Sequence, residues 1–194
     1  MTSSTLAKIK QQLWPRESGR DIWMIVDGAR DRAIYGVLLD SYLEYSCLYH
    51  GELSPELEVA APYLVHLDYD DSYSNKLMER AWGNSWGVFL KCDSRVDALR
   101  RHLRTLLTVR DEKGSSLLFR YYDPRVLRVY LPTCWPEELK TVYGPITAFW
   151  TEDRTASILQ EFRFQRGQLV QNEIPVESGA VSSSTETIQS SRPN

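Results

Sequence analysis

The stretch from residue 98 to residue 132, ALRRHLRTLLTVRDEKGSSLLFRYYDPRVLRVYLP, leaves the chain few ways to fold. Val96, Leu99, Leu103, Leu106 and Leu107 recur at helical spacing, and Arg100, Arg101 and Arg104 lie off that apolar stripe. Ser94, with Asp97 three residues on, reads as the capping pair that starts this helix. A polar turn around Gly114 follows, and residues 116–124 read as an apolar strand carrying one arginine, Arg120. Asp123 then reads as an N-cap and Pro124 as the first residue of another helix, because proline loses nothing where the backbone N–H has no partner. Helix, turn, strand and helix with almost no spacer between them require a compact α/β arrangement.

The rest of the chain continues the alternation. Residues 5–13 read as a short helix ended by Pro15, residues 21–28 as a buried strand, and residues 30–45 as a helix. Residues 47–51, 61–68 and 86–92 read as strands, with a helix over 74–82 that Ser74 is expected to cap. Helices over 125–130 and 136–142 precede strands over 146–150 and 159–164 and a turn at Arg166-Gly167. Strands that alternate with helices point to an α/β fold: a single domain with a mixed, largely parallel sheet flanked by helices. The boundaries expected are an N-terminal helix and linker over 1–19, the domain over 20–173, and a disordered Ser/Thr-rich tail over 174–194.

Function is harder to read from residue patterns. The overall net charge is −3, yet residues 95–128 hold 9 basic and 4 acidic side chains, so this block is positive while both flanks are negative. Such a block either recruits an acidic partner or neutralises its own neighbours. Nucleotide binding finds little support, because Gly28 stands alone in its strand-to-helix turn with neither a dinucleotide nor a P-loop glycine pattern. Cys47 and His50 have a metal-like spacing but no second pair, and Cys92 and His102 make a poor nucleophile–base couple. The acidic pI and the absence of a recognition module argue against nucleic acid. Three distant cysteines suit reduced thiols, and the N-terminus lacks the apolar core of a signal peptide, so the expected location is cytoplasmic. No catalytic residue, metal or cofactor is expected. Arg120 and Asp123 flank Tyr121-Tyr122, and their structural reading is a strand-to-helix joint locked by ion pairs.

The residues His102-Leu103-Arg104, Gly114 and Phe119-Arg120-Tyr121-Tyr122-Asp123-Pro124-Arg125 carry a family resemblance. Asp27-Gly28 after an early strand, the Ala61–Val65 segment, Trp86-Gly87 and Gly144-Pro145 follow in matching order. The chain resembles the domain-of-unknown-function family "four-one-two-three", the type VI secretion adaptor chaperones called Tap or Tec. The resemblance spans roughly residues 20–150. It implies a non-enzymatic cytoplasmic adaptor that binds an effector protein and loads it onto the VgrG spike. His102, Arg120, Tyr122, Asp123, Pro124 and Arg125 are then the structural motif, and Arg100, Arg101 and Arg104 the candidate partner-binding residues. The alternative reading is a small-molecule or nucleotide-binding α/β enzyme.

Overall fold

The computed structural model describes residues 1–16 and 21–176. An inner strand, β1 (Ile22–Asp27), has all six of its residues buried. Successive side chains of a strand point to opposite faces, so an unbroken apolar run here means cover on both sides. Met24 and Val26 enter one core with Trp150, while Trp23 and Ile25 enter a second core with Phe149.

Strands β2 (Tyr45–Cys47), β3 (Pro62–His66), β4 (Gly87–Cys92), β7 (Ile146–Glu152), β8 (Ile158–Gln165) and β9 (Gln168–Pro175) complete the main sheet, in the order β2-β3-β1-β4-β7-β8-β9. A separate hairpin pairs β5 (Thr108–Arg110) with β6 (Ser116–Leu118). Helices α1 (Ser3–Leu13), α2 (Ala33–Leu39) and α4 (Ser72–Ala81) cover the first face, through Leu6, Ile9, Ile34, Leu38, Leu77 and Met78. Helices α5 (Val96–Thr105), α6 (Pro124–Tyr130) and α7 (Pro136–Tyr143) cover the second, through Leu99, Leu103, Leu127, Leu139 and Val142. A seventh, short helix on the chain's way to β3, α3 (Pro55–Ala60), buries none of its residues.

The expectation of a largely parallel sheet is overturned, because every ladder of the seven-stranded sheet is antiparallel. The physical reason lies in how two crossovers interleave. Strands β1 and β2 run the same way, linked across α2, but β3 lies between them and runs against both. Strands β3 and β4 likewise run the same way, linked across α4, with β1 between them. Each strand-helix-strand unit is therefore parallel in itself and skips one position, which an opposed strand fills.

Local starts and stops differ in places from the sequence reading. Residues 116–124 are not one strand: β6 ends at Leu118, and Phe119 leaves the hairpin by donating its N–H to the Leu107 carbonyl. Ser94 does not cap α5, whose N-cap is Arg95 with no side-chain bond. Asp71, not Ser74, caps α4, accepting the Ser74 N–H at 2.6 Å. The sheet runs through β9 to Pro175, past the expected boundary at 173, and α1 packs into the first core. The tail expectation for residues 177–194 falls outside the described residues.

Candidate protein-binding surface

The arginine–aspartate motif is built where α5, the hairpin and α6 meet the end of β1. Asp27 is buried at 1% exposure, its own N–H bonded to the Trp86 carbonyl. The Arg120 guanidinium reaches across to it, Nε to Oδ2 at 3.1 Å and a second, closer contact from Nη2. The Ala29 N–H donates to the other carboxylate oxygen at 3.2 Å. Burial pushes the Asp27 carboxyl above its ordinary pKa, although Arg120 and the Ala29 amide pull it down.

Asp123 has a different partner. Its Oδ1 accepts the Arg125 N–H at 2.9 Å, which caps α6, and both its oxygens bind the Arg125 guanidinium at 2.6 to 3.2 Å. Burial raises its carboxyl, but the bonds from Arg125 outweigh that and hold it below the ordinary value. Arg120 and Asp123 thus belong to two neighbouring ion pairs, Arg120–Asp27 and Arg125–Asp123. Between them, Tyr121 donates its hydroxyl to the Leu103 carbonyl at 2.9 Å, at the end of α5. Burial drives the Tyr122 hydroxyl far above the usual phenol range, and Tyr49 adds to the rise.

Asp123→Ala is expected to remove the cap and the ion pair together, costing about 1–2 kcal/mol, the usual range for a lost N-cap. Because Asp123's folded pKa is depressed, its contribution is present above the unfolded value near ~4 and lost as the pH falls through the folded one. The melting difference between the two proteins should therefore close on acidification. Loss of partner binding with an unchanged melting temperature would contradict a structural role.

The basic helix divides into two kinds of arginine. Arg104 turns inward: Nε donates to the Leu48 carbonyl at 3.1 Å, and Nη2 to the carbonyls of Cys47 and Tyr49 at 3.0 and 3.1 Å. It ties α5 to the segment that leaves the edge strand β2. Arg100 makes only a 3.6 Å pair with Asp97 one turn away, and Arg101 is exposed. His102 is also structural in position. Its Nε2 lies 2.9 Å from the Val142 carbonyl, which can only accept, so that nitrogen carries the proton. The ring covers Gly144, where a Cβ would stand 2.4 Å from it, at a φ of +48°.

Arg104→Lys should lose about 2 kcal/mol, since an ammonium cannot serve three carbonyls in the guanidinium's planar fork. Arg101→Glu at its exposed site, and Arg100→Glu at a half-buried site whose ion-pair partner lies at 3.6 Å, should stay within about 0.5 kcal/mol of the parent. Parallel thermal melts compare the three.

Two further features were not legible in the sequence. The β5–β6 hairpin exposes Val109, Leu117 and Leu118, and beyond it Val129 and Trp135 are 64% and 74% exposed. Apolar and aromatic groups left in water like this suit protein contact. A cleft of about 840 Å³ lies between α6 and the β8–β9 end of the sheet, lined among others by Arg125, Arg128, Glu152, Arg154 and Glu173. Glu152 is buried there and accepts from the Gly83 and Ser85 N–H groups, and from the Ser85 hydroxyl at 3.1 Å. Ser85 and Ala156, both at the cleft, hold left-handed φ values of 54° and 56°. No group of three His, Cys, Asp or Glu side chains among the described residues is placed to hold a metal ion.

The family described as "Domain of unknown function (DUF4123)" matches residues 22–141. The chain belongs to the DUF4123 family. DUF4123 is known as the type VI secretion adaptor-chaperone domain, Tap or Tec. Neither a curated protein nor a solved structure matched the chain. The DUF4123 segment holds both ion pairs, the basic helix and the exposed hairpin, and ends inside α7, short of β7. No helix among the described residues is long and apolar enough to cross a membrane.

Proposed function

We propose that this chain is a cytoplasmic adaptor chaperone, without catalytic activity of its own, that binds a type VI secretion effector and loads it onto the VgrG spike. The observation that carries this reading is the DUF4123 match over residues 22–141, which takes in the whole Arg120–Arg125 motif. The placement of side chains supports it in two ways. Arg120, Asp123 and Arg125 are spent on one another and on Asp27, so the motif serves the scaffold. Apolar groups of the hairpin, the exposed Arg101 and the half-buried Arg100 are left for partners. Arg104, one of the three arginines expected at the contact, is better placed to hold the fold than to touch a partner.

The test is co-purification of the tagged chain with the spike's C-terminal region and with the effector encoded beside it. Retention of both at near-stoichiometric yield is expected, and retention of neither would defeat the reading. Charge reversal at Arg100 and Arg101 should weaken one of the two contacts without altering the melting temperature.

A further inference from the structure

A second cleft, of about 520 Å³, opens where β2, β3, α2 and α3 meet. Tyrosine and carboxylate dominate its lining. Tyr35 comes from α2, Tyr45 from β2, Tyr63 from β3 and Glu58 from α3, while Tyr49 and Glu52 come from the segment after β2. The rest of the lining carries no charge, since burial pushes the Cys47 thiol up and keeps it protonated near neutrality.

The strands bring these groups together. Tyr45 and Cys47 stand two apart on β2 and so share a face, and Cys47 lies opposite Tyr63 in the β2–β3 register. Helix α3 buries none of its residues, yet it is fixed over the cleft. The Tyr63 hydroxyl donates to the Glu58 main-chain carbonyl at 2.8 Å, and the Tyr35 hydroxyl reaches the Glu58 carboxylate at 3.4 Å. The Tyr35 and Tyr63 rings stack with centroids 5.7 Å apart, and Tyr45 meets Tyr63 edge to face at 5.8 Å. A cation sandwiched between two rings needs roughly 7 Å, twice a contact distance, so a ligand has to lie on the ring faces turned to the cleft.

The charge of the lining is of one sign. Among the described residues no lysine or arginine lines the cleft, and neither Glu52 nor Glu58 forms an ion pair. Arg104 bonds the Cys47 and Tyr49 carbonyls, but it lines a different cleft, with Arg100, Arg101 and His50. Phenol rings attract a cation through their faces, and two carboxylates add to that attraction. Sites for free small molecules bury most of the ligand. Here Gly51, Glu52 and Glu58 are exposed and leave the cleft open, as suits a single side chain carried in by something larger.

We infer that this cleft receives a cationic side chain, arginine or lysine, of a partner protein, its charge set against Glu52, Glu58 and the tyrosine faces. The inference deepens the adaptor reading by naming the chemistry of one contact, and it rests on that reading for the existence of a protein partner.

The probe is the capped tripeptide acetyl-Gly-Arg-Gly-amide, titrated into the ¹⁵N-labelled full chain at low salt and followed by backbone amide shifts. Saturable shifts confined to residues 35–63 are expected, with the lysine tripeptide binding at the same place. The citrulline tripeptide has the shape of the arginine one without its charge, leaves the protein untouched, and should not bind. Glu52→Gln and Glu58→Gln together should weaken binding about tenfold, and Tyr35→Leu, which keeps apolar bulk and removes one ring face, about two- to fivefold. Choline should bind more weakly than the arginine peptide.

No binding by either cationic peptide, equal binding by the citrulline peptide, or indifference to the double glutamine variant would each overturn the inference. Tighter binding by choline would overturn it too, since the cleft would then serve a free ammonium compound. If the chain retains effector and spike while the cationic peptides fail to bind, the inference falls and the adaptor reading stands. If the peptides bind as described while neither protein is retained, the adaptor reading falls and the cation-accepting cleft stands.

Discussion

Replacing Arg120 by alanine is expected to cost roughly 3 kcal/mol, a loss of about 6–12 °C in melting temperature for a domain of this size. Arg120 is half-buried but its partner is wholly buried, so removing the arginine leaves the Asp27 charge in a place that cannot solvate it. Asp27 is 1% exposed, and without Arg120 it keeps one donor, the Ala29 N–H. The pH dependence follows from the sign of its shift. Asp27's folded pKa is raised, so its contribution to stability is present where the proton is bound and is lost as the pH rises through the folded value. Arg120 is one of the groups that lower this pKa, and deleting it raises the carboxyl further. The deficit of Arg120→Ala should therefore be largest near neutrality and shrink toward acid. The contribution of Asp123, lost on acidification, is held mainly by its bonds from Arg125 and is reduced only in part when Arg120 is removed, so it changes the difference between the two proteins less than Asp27 does. Adding Asp27→Asn to Arg120→Ala should recover part of the loss. A single variant melting within about 2 °C of the parent would show that the pair holds nothing together.

The second large effect lies at Gly87. A Cβ there would stand 1.9 Å from the Ile25 carbonyl oxygen and 2.8 Å from its carbon, with the Val26 Cα at 3.0 Å. All three atoms are backbone of β1, an inner strand paired on both sides, so no side chain can swing away. Gly87→Ala should cost more than about 4 kcal/mol, beyond the ordinary range of single substitutions, and move the protein to the insoluble fraction or depress its melting by more than ~10 °C. Gly36→Ala is the contrast. That glycine sits in α2 with nothing within 4 Å of the added carbon, so alanine should be neutral or stabilise by about 0.5–1 kcal/mol. Equal melting of the two variants would contradict the packing described here.

What the sequence made legible was local. The apolar run at residues 22–27, the Leu99/Leu103 stripe, and the Asp123-Pro124 helix start all stand where periodicity and capping chemistry put them. Strand direction was not legible, because a strand-helix-strand alternation looks the same whether the two strands become neighbours or leave a gap for a third. The strand β9 was missed for a related reason. Six of its eight residues are exposed and it lacks the apolar alternation of a half-buried strand, so it resembles the polar tail that follows. At the site, the residue types of the motif were readable and their pairing was not. Arg120 finds its carboxylate 93 residues away in sequence, and one sequence carries no signal for that distance. Arg104 was assigned to the surface because it lies off the apolar stripe of its helix. Position off that stripe says nothing about carbonyls that another segment brings alongside.

The order of the strands also governs how this chain is made. Strand β4 finds β1 soon after both leave the ribosome, but its other neighbour, β7, follows only after about fifty further residues of α5, the hairpin, α6 and α7. At ordinary synthesis speeds of about 5–20 residues per second, the Gly87–Cys92 edge stands open for several seconds. Its sequence, GVFLKC, is buried at every position but one in the finished protein. A shortened chain that stops where the family match stops, at residue 141, would hold the open edge permanently. The span that defines membership is therefore smaller than the unit that folds, and any truncation intended to isolate this domain has to carry β7 and β8 with it.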